Sequence, residues 1–356
     1  MASAILPSSG NDSKLAEVAK LRRGISANSR GAKALRLGSR RAGIALCLAA
    51  LAAFLADVSV AAEPRQSLKS SNPLPDLSGM AWMGDDLFLV VHDAKNPDEL
   101  DRPRVSLMAL PSSLEGVLWR PSAPEFPGEK SNDLESAARI PGTNKVLLLE
   151  SADDGGPFGR IFLGEMAPDS VKILEAIGWS SFTKPFNIEA SAIARADDGG
   201  LMFIWAERNN GKDNTDVNWA KLSLDPFRIE GPVSRVNFKL PRSAYDAAGK
   251  ALYDRPIVAM DLDGRGRIYI AASLDPEGFS ETPDDGPFRS AIYRIGAIKD
   301  GAVRLDAEAA LMAVLDGLKV ESIAVRERDG GREIFVGTDD ENYGGILRVL
   351  PEREAR

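Results

Sequence analysis

The stretch Asn132–Asp154, NDLESAARIPGTNKVLLLESADD, decides the fold of this chain. It opens with acidic and small residues, breaks at a Pro-Gly turn, continues as the hydrophobic run Val146–Leu149 and ends in an acidic loop. Apolar runs bounded by Gly, Pro, Asn and Asp clusters are typical of antiparallel β-strands. The stretch therefore predicts a two-stranded unit with acidic residues at both of its open ends.

The same plan recurs four more times along the chain, in segments 75–95, 187–210, 256–275 and 319–342. The equivalent apolar positions Leu77, Leu134, Ile188, Ile257 and Val320 are separated by 57, 54, 69 and 63 residues. A further strand follows each copy, in segments 104–110, 160–166, 219–224, 291–298 and 345–350. Repeated antiparallel units that cannot bury their own faces are typical of propeller blades around a central channel.

The sequence thus predicts an all-β fold, a five- or six-bladed β-propeller. The five copies predict at least five blades. The repeat is longer than the roughly 40 to 45 residues of a compact blade, and a sixth, degenerate blade between Ser223 and Tyr253 would account for the excess. Helix-period stripes longer than three turns are missing after residue 62, and the nearest candidate is the short segment DAEAALMAVLDGL that starts at Asp306.

The N-terminal segment differs in composition from the rest. Residues 1–62 hold nine Lys and Arg against three acids, and Arg40 and Arg41 precede an apolar run at 42–56 that ends in small residues. This pattern predicts a leader (1–62) with a secretory signal peptide, followed by a linker (63–75), the propeller (76–351) and a short tail (352–356). The predicted location is periplasmic or secreted, with an uncleaved membrane anchor as the alternative.

The remaining chain is acidic and has no cysteine. Beyond residue 62 it carries 35 basic and 49 acidic residues. Nucleic-acid-binding surfaces have the opposite sign, so the sequence predicts no nucleic-acid partner. It also predicts a monomer with no stable membrane insertion after cleavage. His92 is the only histidine of the chain, so zinc sites built from His and Cys and a Cys nucleophile are excluded. We expect His92 to make hydrogen bonds within a loop.

Blade geometry predicts where the acids lie. The first strand of a blade starts at one rim of the channel and the second strand returns to that rim. Glu135 is therefore expected to lie near Glu150, Asp153 and Asp154. The same logic places the other expected members of the rim in pairs: Glu189 with Glu207, Glu321 with Asp339, Asp76 with Asp93, and Asp261 with Asp275.

Such a rim has two interpretations. Calcium takes six to eight oxygen ligands, so several carboxylates at a channel mouth favour a calcium site, and the nearby Arg160 and Arg289 are suited to holding an anion. Alternatively, the loop acids only form turns or cap backbone amides. Turn chemistry does not require Glu135, Glu189 and Glu321, which open inner strands among small residues.

The openings DLSGMAW at Asp76, DLESAA at Asp133, IEASAIA at Ile188 and VESIAV at Val320 resemble those of the phytase-like (esterase-like) β-propeller families. The resemblance spans nearly all of residues 76–350. It implies an exported protein of five or six blades that binds calcium at the channel mouth and hydrolyses phosphate esters. Serine or alanine replaces the glycine that often follows the glutamate in that family.

From this resemblance we hypothesise a calcium-dependent phosphoric-ester hydrolase that acts on a small anionic substrate. Its predicted metal ligands are Glu135, Glu189, Glu321, Asp154, Glu207 and Asp339, and its predicted catalytic residues are Glu189, Arg160 and Arg289. Two alternatives stay open at this point: a non-catalytic binding module for a cell-envelope ligand or protein, and a metal-dependent lactone or sugar hydrolase.

Overall fold

The structure is a computed structural model of the chain. It describes residues 59–60, 74–110, 118–152, 158–181, 183, 187–208, 214–239, 257–274, 288–328, 330–340 and 344–350. The predicted signal peptide, cleavage point, linker and tail fall almost wholly outside these residues and stay predictions. Of the predicted leader only β1 (Ser59–Val60) is described, and it pairs in parallel with Val314 and Leu315.

Five antiparallel sheets form the five blades of a propeller. The first blade contains β2 (Gly79–Gly84), β3 (Leu87–Val91), β4 (Val105–Ala109) and β5 (Leu118–Ser122). The second contains β6 (Leu134–Arg139), β7 (Lys145–Glu150), β8 (Arg160–Ala167) and β9 (Ser170–Gly178), and the 3-10 helix Trp179–Ser181 follows it. The third contains β10 (Ile188–Arg195), β11 (Leu201–Glu207), β12 (Asn214–Leu224) and β13 (Phe227–Lys239).

The fourth and fifth blades complete the ring. The fourth contains β14 (Ile257–Leu262), β15 (Arg267–Leu274), β16 (Arg289–Lys299) and β17 (Ala302–Asp316), and the fifth contains β18 (Val320–Arg328), β19 (Gly331–Thr338) and β20 (Leu347–Leu350). The innermost strand of each blade contacts those of both neighbours, including β18 with β2. A bridge between Leu74 and Gly345 ties the segment before the first blade to the fifth.

The blades are held together by apolar side chains on their facing surfaces. The described residues form five hydrophobic clusters, one for each pair of neighbouring blades. Between the second and third blades, Trp179, Phe203 and Trp205 pack with ring centroids 5.0 to 5.8 Å apart. Burial on both faces explains why the second strand of a blade reads as a continuous apolar run, as in Val146–Leu149.

The all-β propeller prediction is confirmed, with five blades. All five predicted third strands form, as β4, β8, β12, β16 and β20. Part of the segment in which a sixth blade was expected is β13, the outer strand of the third blade. Most of the candidate helix near Asp306 instead lies in β17, where residues 310, 311 and 313–316 pair with β16. No helix in the described part of the chain is long and apolar enough to span a membrane.

Candidate active site at the upper mouth of the channel

Three glutamates occupy equivalent positions at the start of their inner strands. Glu135, Glu189 and Glu321 are each the second residue of β6, β10 and β18, and the strand pairing skips each of them. Such a β-bulge leaves one residue out of the ladder and redirects its side chain. The bulge position thus turns one carboxyl from each of three blades toward the same end of the channel, here called the upper mouth.

The other two blades lack this carboxyl. In the fourth blade the skipped residue is Val258, and in the first blade the residue aligned by sequence is Ser78. The upper mouth is therefore asymmetric, with glutamates from the second, third and fifth blades. Ser136 and Ser191, close to the bulges of the second and third blades, join their hydroxyls at 2.8 Å, so these two inner strands approach closely beside Glu135 and Glu189.

Further carboxyls surround the three glutamates. Asp133 is buried and precedes β6 with a φ of 58°, a left-handed conformation that Asp tolerates better than most residues. Asp339 is buried just beyond the end of β19. Asp76 and Asp93 belong to the first blade, and the proximity of the carboxyls raises the pKa of several of them.

Cationic side chains enter the cluster from several blades. From the first blade, Lys95 Nζ lies 3.2 Å from Asp133 Oδ1 and Arg102 Nη2 lies 2.7 Å from Asp76 Oδ2.

The third and fifth blades contribute one cation each. The Lys319 ammonium is buried and lies 3.2 Å from Glu321 Oε1 and 3.3 Å from Asp339 Oδ2. Arg208 Nη1 lies 3.6 Å from Glu189 Oε1. Each of these two glutamates thus has a cation beside it, which favours its ionised form.

Glu135 differs from its two equivalents. It makes no ion pair with any residue in the described ranges. Burial first, and then the charges of Glu189, Asp133, Asp93 and Glu321, raise the pKa of Glu135 well above its usual value. Burial also raises the pKa of Glu189 to about 7, although Arg208 opposes this shift. The upper mouth therefore combines Glu135, whose raised pKa no cation of the described residues opposes, with Glu189 and Glu321, whose raised pKa values are opposed by Arg208 and Lys319.

The first blade contributes carboxyls whose protonation is also shifted. Burial, and then the charge of Asp339, raises the pKa of Asp76 and of Asp93 to about 7 each. His92 is buried beneath them, with Nδ1 2.5 Å from the Asp76 carbonyl oxygen and Nε2 2.7 Å from Ser106 Oγ. Burial lowers the pKa of His92 to about 4, so the ring is neutral and its role is to hold the loop by hydrogen bonds, as expected.

The described residues fit a calcium ion poorly. No group of three or more His, Asp or Glu side chains among them is arranged to hold a metal. The Lys319 ammonium already lies between Glu321 and Asp339, two of the predicted ligands. Asp154, another predicted ligand, is outside the described residues, so the calcium site stays a prediction.

The structure separates the two predicted arginines from the glutamate cluster. Arg160 pairs with Glu150 through Nη2 at 2.5 Å and Nε at 3.0 Å, and its Nη1 donates to the carbonyls of Pro127 and Glu129. Arg289 Nε lies 2.7 Å from Asp316 Oδ1 on the neighbouring strand. Both guanidinium groups are held by carboxylates of their own blades. Neither Arg160 nor Arg289 is therefore positioned to bind an anion at the glutamate cluster.

The remaining predicted rim residues are placed as follows. Glu207 ends β11 opposite Ile188, next to the bulge of Glu189, so the predicted pairing of the two ends of a blade is confirmed there. Glu150 likewise lies opposite Leu134. The expectation for Asp261 was wrong, because it is the fifth residue of β14 and lies near the opposite end of the channel.

Sequence reasoning missed Lys319 and Arg208. Lys319 occupies the position directly before the inner strand where the second and third blades have Asp133 and Asn187. The sequence repeats alone give this alignment. They show that the fifth blade has a positive charge where the second blade has a negative one. Arg208 follows β11 directly, and its direction toward Glu189 required the structure.

Comparison with known proteins supports the propeller fold of this chain and nothing beyond the fold. No family model and no curated protein matches the chain. Among solved structures, an endo-arabinase from Bacteroides thetaiotaomicron is 11% identical and aligns over 82% of this chain and 99% of its own, with a TM-score of 0.49. A thermostable family-43 glycoside hydrolase is 12% identical over 78% and 88%, with a TM-score of 0.46. A family-32 β-fructofuranosidase from Bombyx mori is 13% identical over 86% and 67%, with a TM-score of 0.44. The phytase-like resemblance finds no support in these comparisons.

Proposed function

We propose that the upper mouth is the active site of a hydrolase that cleaves glycosidic bonds by acid–base chemistry between paired carboxyls. The single observation that supports this proposal best is the difference between Glu135 and its two equivalents. Among the residues that the structure describes, Glu135 has no cation beside it, whereas Glu189 has Arg208 and Glu321 has Lys319. Hydrolysis of a glycosidic bond requires one carboxylic acid and one carboxylate on either side of the bond.

In this proposal Glu135 donates its proton to the oxygen of the leaving group. Its raised pKa favours the protonated form, as a general acid requires. Glu189, whose ionised form Arg208 favours, acts as the second carboxylate, either on a water molecule or on the sugar carbon. Glu189 thus keeps the central role that the sequence predicted for it, whereas Arg160 and Arg289 have none.

Electrostatics favours a sugar over a phosphate ester as substrate. The sugar passes through a transition state with positive charge on its ring, which neighbouring carboxylates stabilise. A phosphate ester brings further negative charge into a group of carboxyls that already raise each other's pKa. The sugar-hydrolase alternative is therefore preferred over phosphoric-ester hydrolysis, with carboxyls alone as the acid and the base.

The test is hydrolysis of a panel of aryl glycosides, pentosides and hexosides of both anomers, with an aryl phosphate as the comparison. We expect release of the aryl alcohol from at least one glycoside, in EDTA as well as in calcium. Glu135→Gln is expected to lower the rate by about 100-fold, because general acid catalysis contributes at least this much.

Glu175→Gln is the matched control. Glu175 is exposed on β9 of the same blade, away from the channel, so its variant should keep the full rate. Cleavage of the phosphate alone, or an activity that EDTA abolishes, would restore the calcium mechanism. Absence of any cleavage would favour the non-catalytic binding module.

A further inference from the structure

The opposite end of the channel contains a cavity. The inner strands β2, β6, β10, β14 and β18 end there, at what is here called the lower mouth, and the turns that follow them surround a cavity of about 530 Å³. A volume of this size falls within the roughly 300 to 1,000 Å³ typical of small-molecule sites. None of the three bulge glutamates lines it.

Arginines from two adjacent blades line this cavity. Arg139 ends β6, and Arg195 ends β10 in the adjacent blade. Arg195 Nη2 donates to the Pro141 carbonyl at 2.7 Å, which brings it to the turn of the second blade. Neither arginine makes an ion pair with a residue of the described ranges.

Arg139 is held in a fixed orientation. Its Nε donates to the Thr143 carbonyl at 3.2 Å, and its guanidinium lies 5.6 Å from the ring centroid of Trp82. The side chain is half-buried, and this burial lowers its pKa, which reflects a charge that is poorly compensated. A fixed, desolvated guanidinium gives stronger hydrogen bonds to an oxyanion than a mobile one in water.

Glycine at position 142 permits the approach of Arg195. The backbone there has a φ of 74°, and a Cβ atom would lie 3.3 Å from Arg195 Nη2. The turn that follows Arg139 in the second blade thus leaves space for the guanidinium of Arg195.

Most of the carboxylates of the cavity are, by contrast, already compensated. Asp263 accepts hydrogen bonds from the Arg267 side chain, the Tyr269 hydroxyl and two backbone amides. Asp261 accepts from the amides of Leu262 and Val325 at 2.7 Å each, and Glu327 accepts from the Gly264 amide at 3.0 Å. Asp197 lines the cavity as an exposed carboxylate beside Arg195.

We propose that the lower mouth binds a small organic anion through an oxyanion group, phosphate or carboxylate, held between Arg139 and Arg195. The volume of the cavity leaves space for a body of about the size of one sugar next to Trp82. Paired guanidinium groups bind both kinds of oxyanion through parallel N–H donors. This site is separate from the upper mouth and does not depend on the function proposed there.

The proposal is tested by calorimetric titration of the full-length protein with inorganic phosphate and, separately, with succinate, at constant ionic strength. We expect saturable one-to-one binding of one of the two at millimolar concentrations or below. Trp82 fluorescence should change along the same binding curve, because Arg139 lies over its ring.

Arg139→Gln and Arg195→Gln should each weaken binding about tenfold, equivalent to about 1.4 kcal/mol. Arg304→Gln is the matched control, since Arg304 is an exposed arginine of β17 outside the cavity, and Glu135→Gln controls for the upper mouth. Both controls should bind as the wild type does. Arg195 is exposed, so its variant keeps the test valid if Arg139→Gln fails to fold. Binding of phosphate or of succinate identifies the oxyanion. Binding of neither, or equal binding by the folded arginine variants, would overturn the proposal.

Discussion

One carboxyl without a cationic partner among the described residues gives the upper mouth its chemical character. Burial and four neighbouring carboxyls oppose the charge of Glu135 in the folded chain and raise its pKa well above its usual value. In the unfolded chain it ionises near that usual value of 4.5. As the pH rises above that value, the unfolded state loses the proton first, so Glu135 destabilises the fold increasingly until its folded pKa is passed.

Glu135→Gln should therefore stabilise the protein at alkaline pH relative to the wild type. The glutamine amide has the shape of the protonated glutamic acid but does not ionise. The variant therefore avoids the free-energy cost of ionising a buried carboxyl. We expect the melting temperature of the variant, minus that of the wild type, to increase as the pH rises above the usual glutamate pKa of 4.5. Glu175→Gln should show a pH-independent difference. A constant difference for Glu135→Gln as well would mean that Glu135 is ionised in the fold.

Some of these residues were predictable and others were not. Glu135, Glu189 and Glu321 share one position of the sequence repeat, and turn chemistry does not explain a glutamate there. Their partners Lys319 and Arg208 required side-chain directions, which a repeat does not specify. Arg160 was wrongly grouped with the glutamates, because its sequence position next to acids does not reveal that Glu150 already binds it.

At the scale of strands, the bulge is the element that assembles the site. The inner strands of the second, third and fifth blades pair regularly except at the glutamate, which the ladder skips. A regular strand would give this residue a partner and point its neighbours to opposite faces. The strands themselves were predictable from apolar runs and turns. The bulges were not predictable, because the sequence of a bulged strand does not differ from that of a regular strand with one more residue.

Close contact between the first and second blades holds the bulge of Glu135 in place. A Cβ atom at Gly79 would lie 2.7 Å from Ser136 Cα and 2.9 Å from the Glu135 carbonyl oxygen, both backbone atoms that cannot rotate away. Gly79→Ala should therefore destabilise the fold by about 1 to 3 kcal/mol through overpacking.

Urea unfolding measures this change. Gly178→Ala is the control, because a Cβ there meets its nearest atom at 3.5 Å, an ordinary contact. It should unfold at nearly the wild-type urea concentration. Equal midpoints for the two alanine variants would show that the blades do not approach each other as closely at Gly79 as described.

At the scale of the whole molecule, the closed ring gives its two mouths opposite chemistry. The upper mouth collects carboxyls from the first, second, third and fifth blades, with Lys319 and Arg208 as partial compensation. The lower mouth places Arg139 and Arg195 together while its buried carboxylates are satisfied by amides and other arginines. Five blades were expected from five repeats, but only closure of the ring reveals which residues of different blades meet.

The most direct test of this account is a pH titration of the glutamate side-chain carboxyl carbons by NMR, in the folded protein and in urea. The upper-mouth cluster exists only in the closed ring, because Glu135, Glu189 and Glu321 come from three blades. We predict that Glu135, assigned through the Glu135→Gln variant, titrates well above its usual value of 4.5 when folded and near that value when unfolded. A folded midpoint close to the unfolded one would contradict the acid–base site.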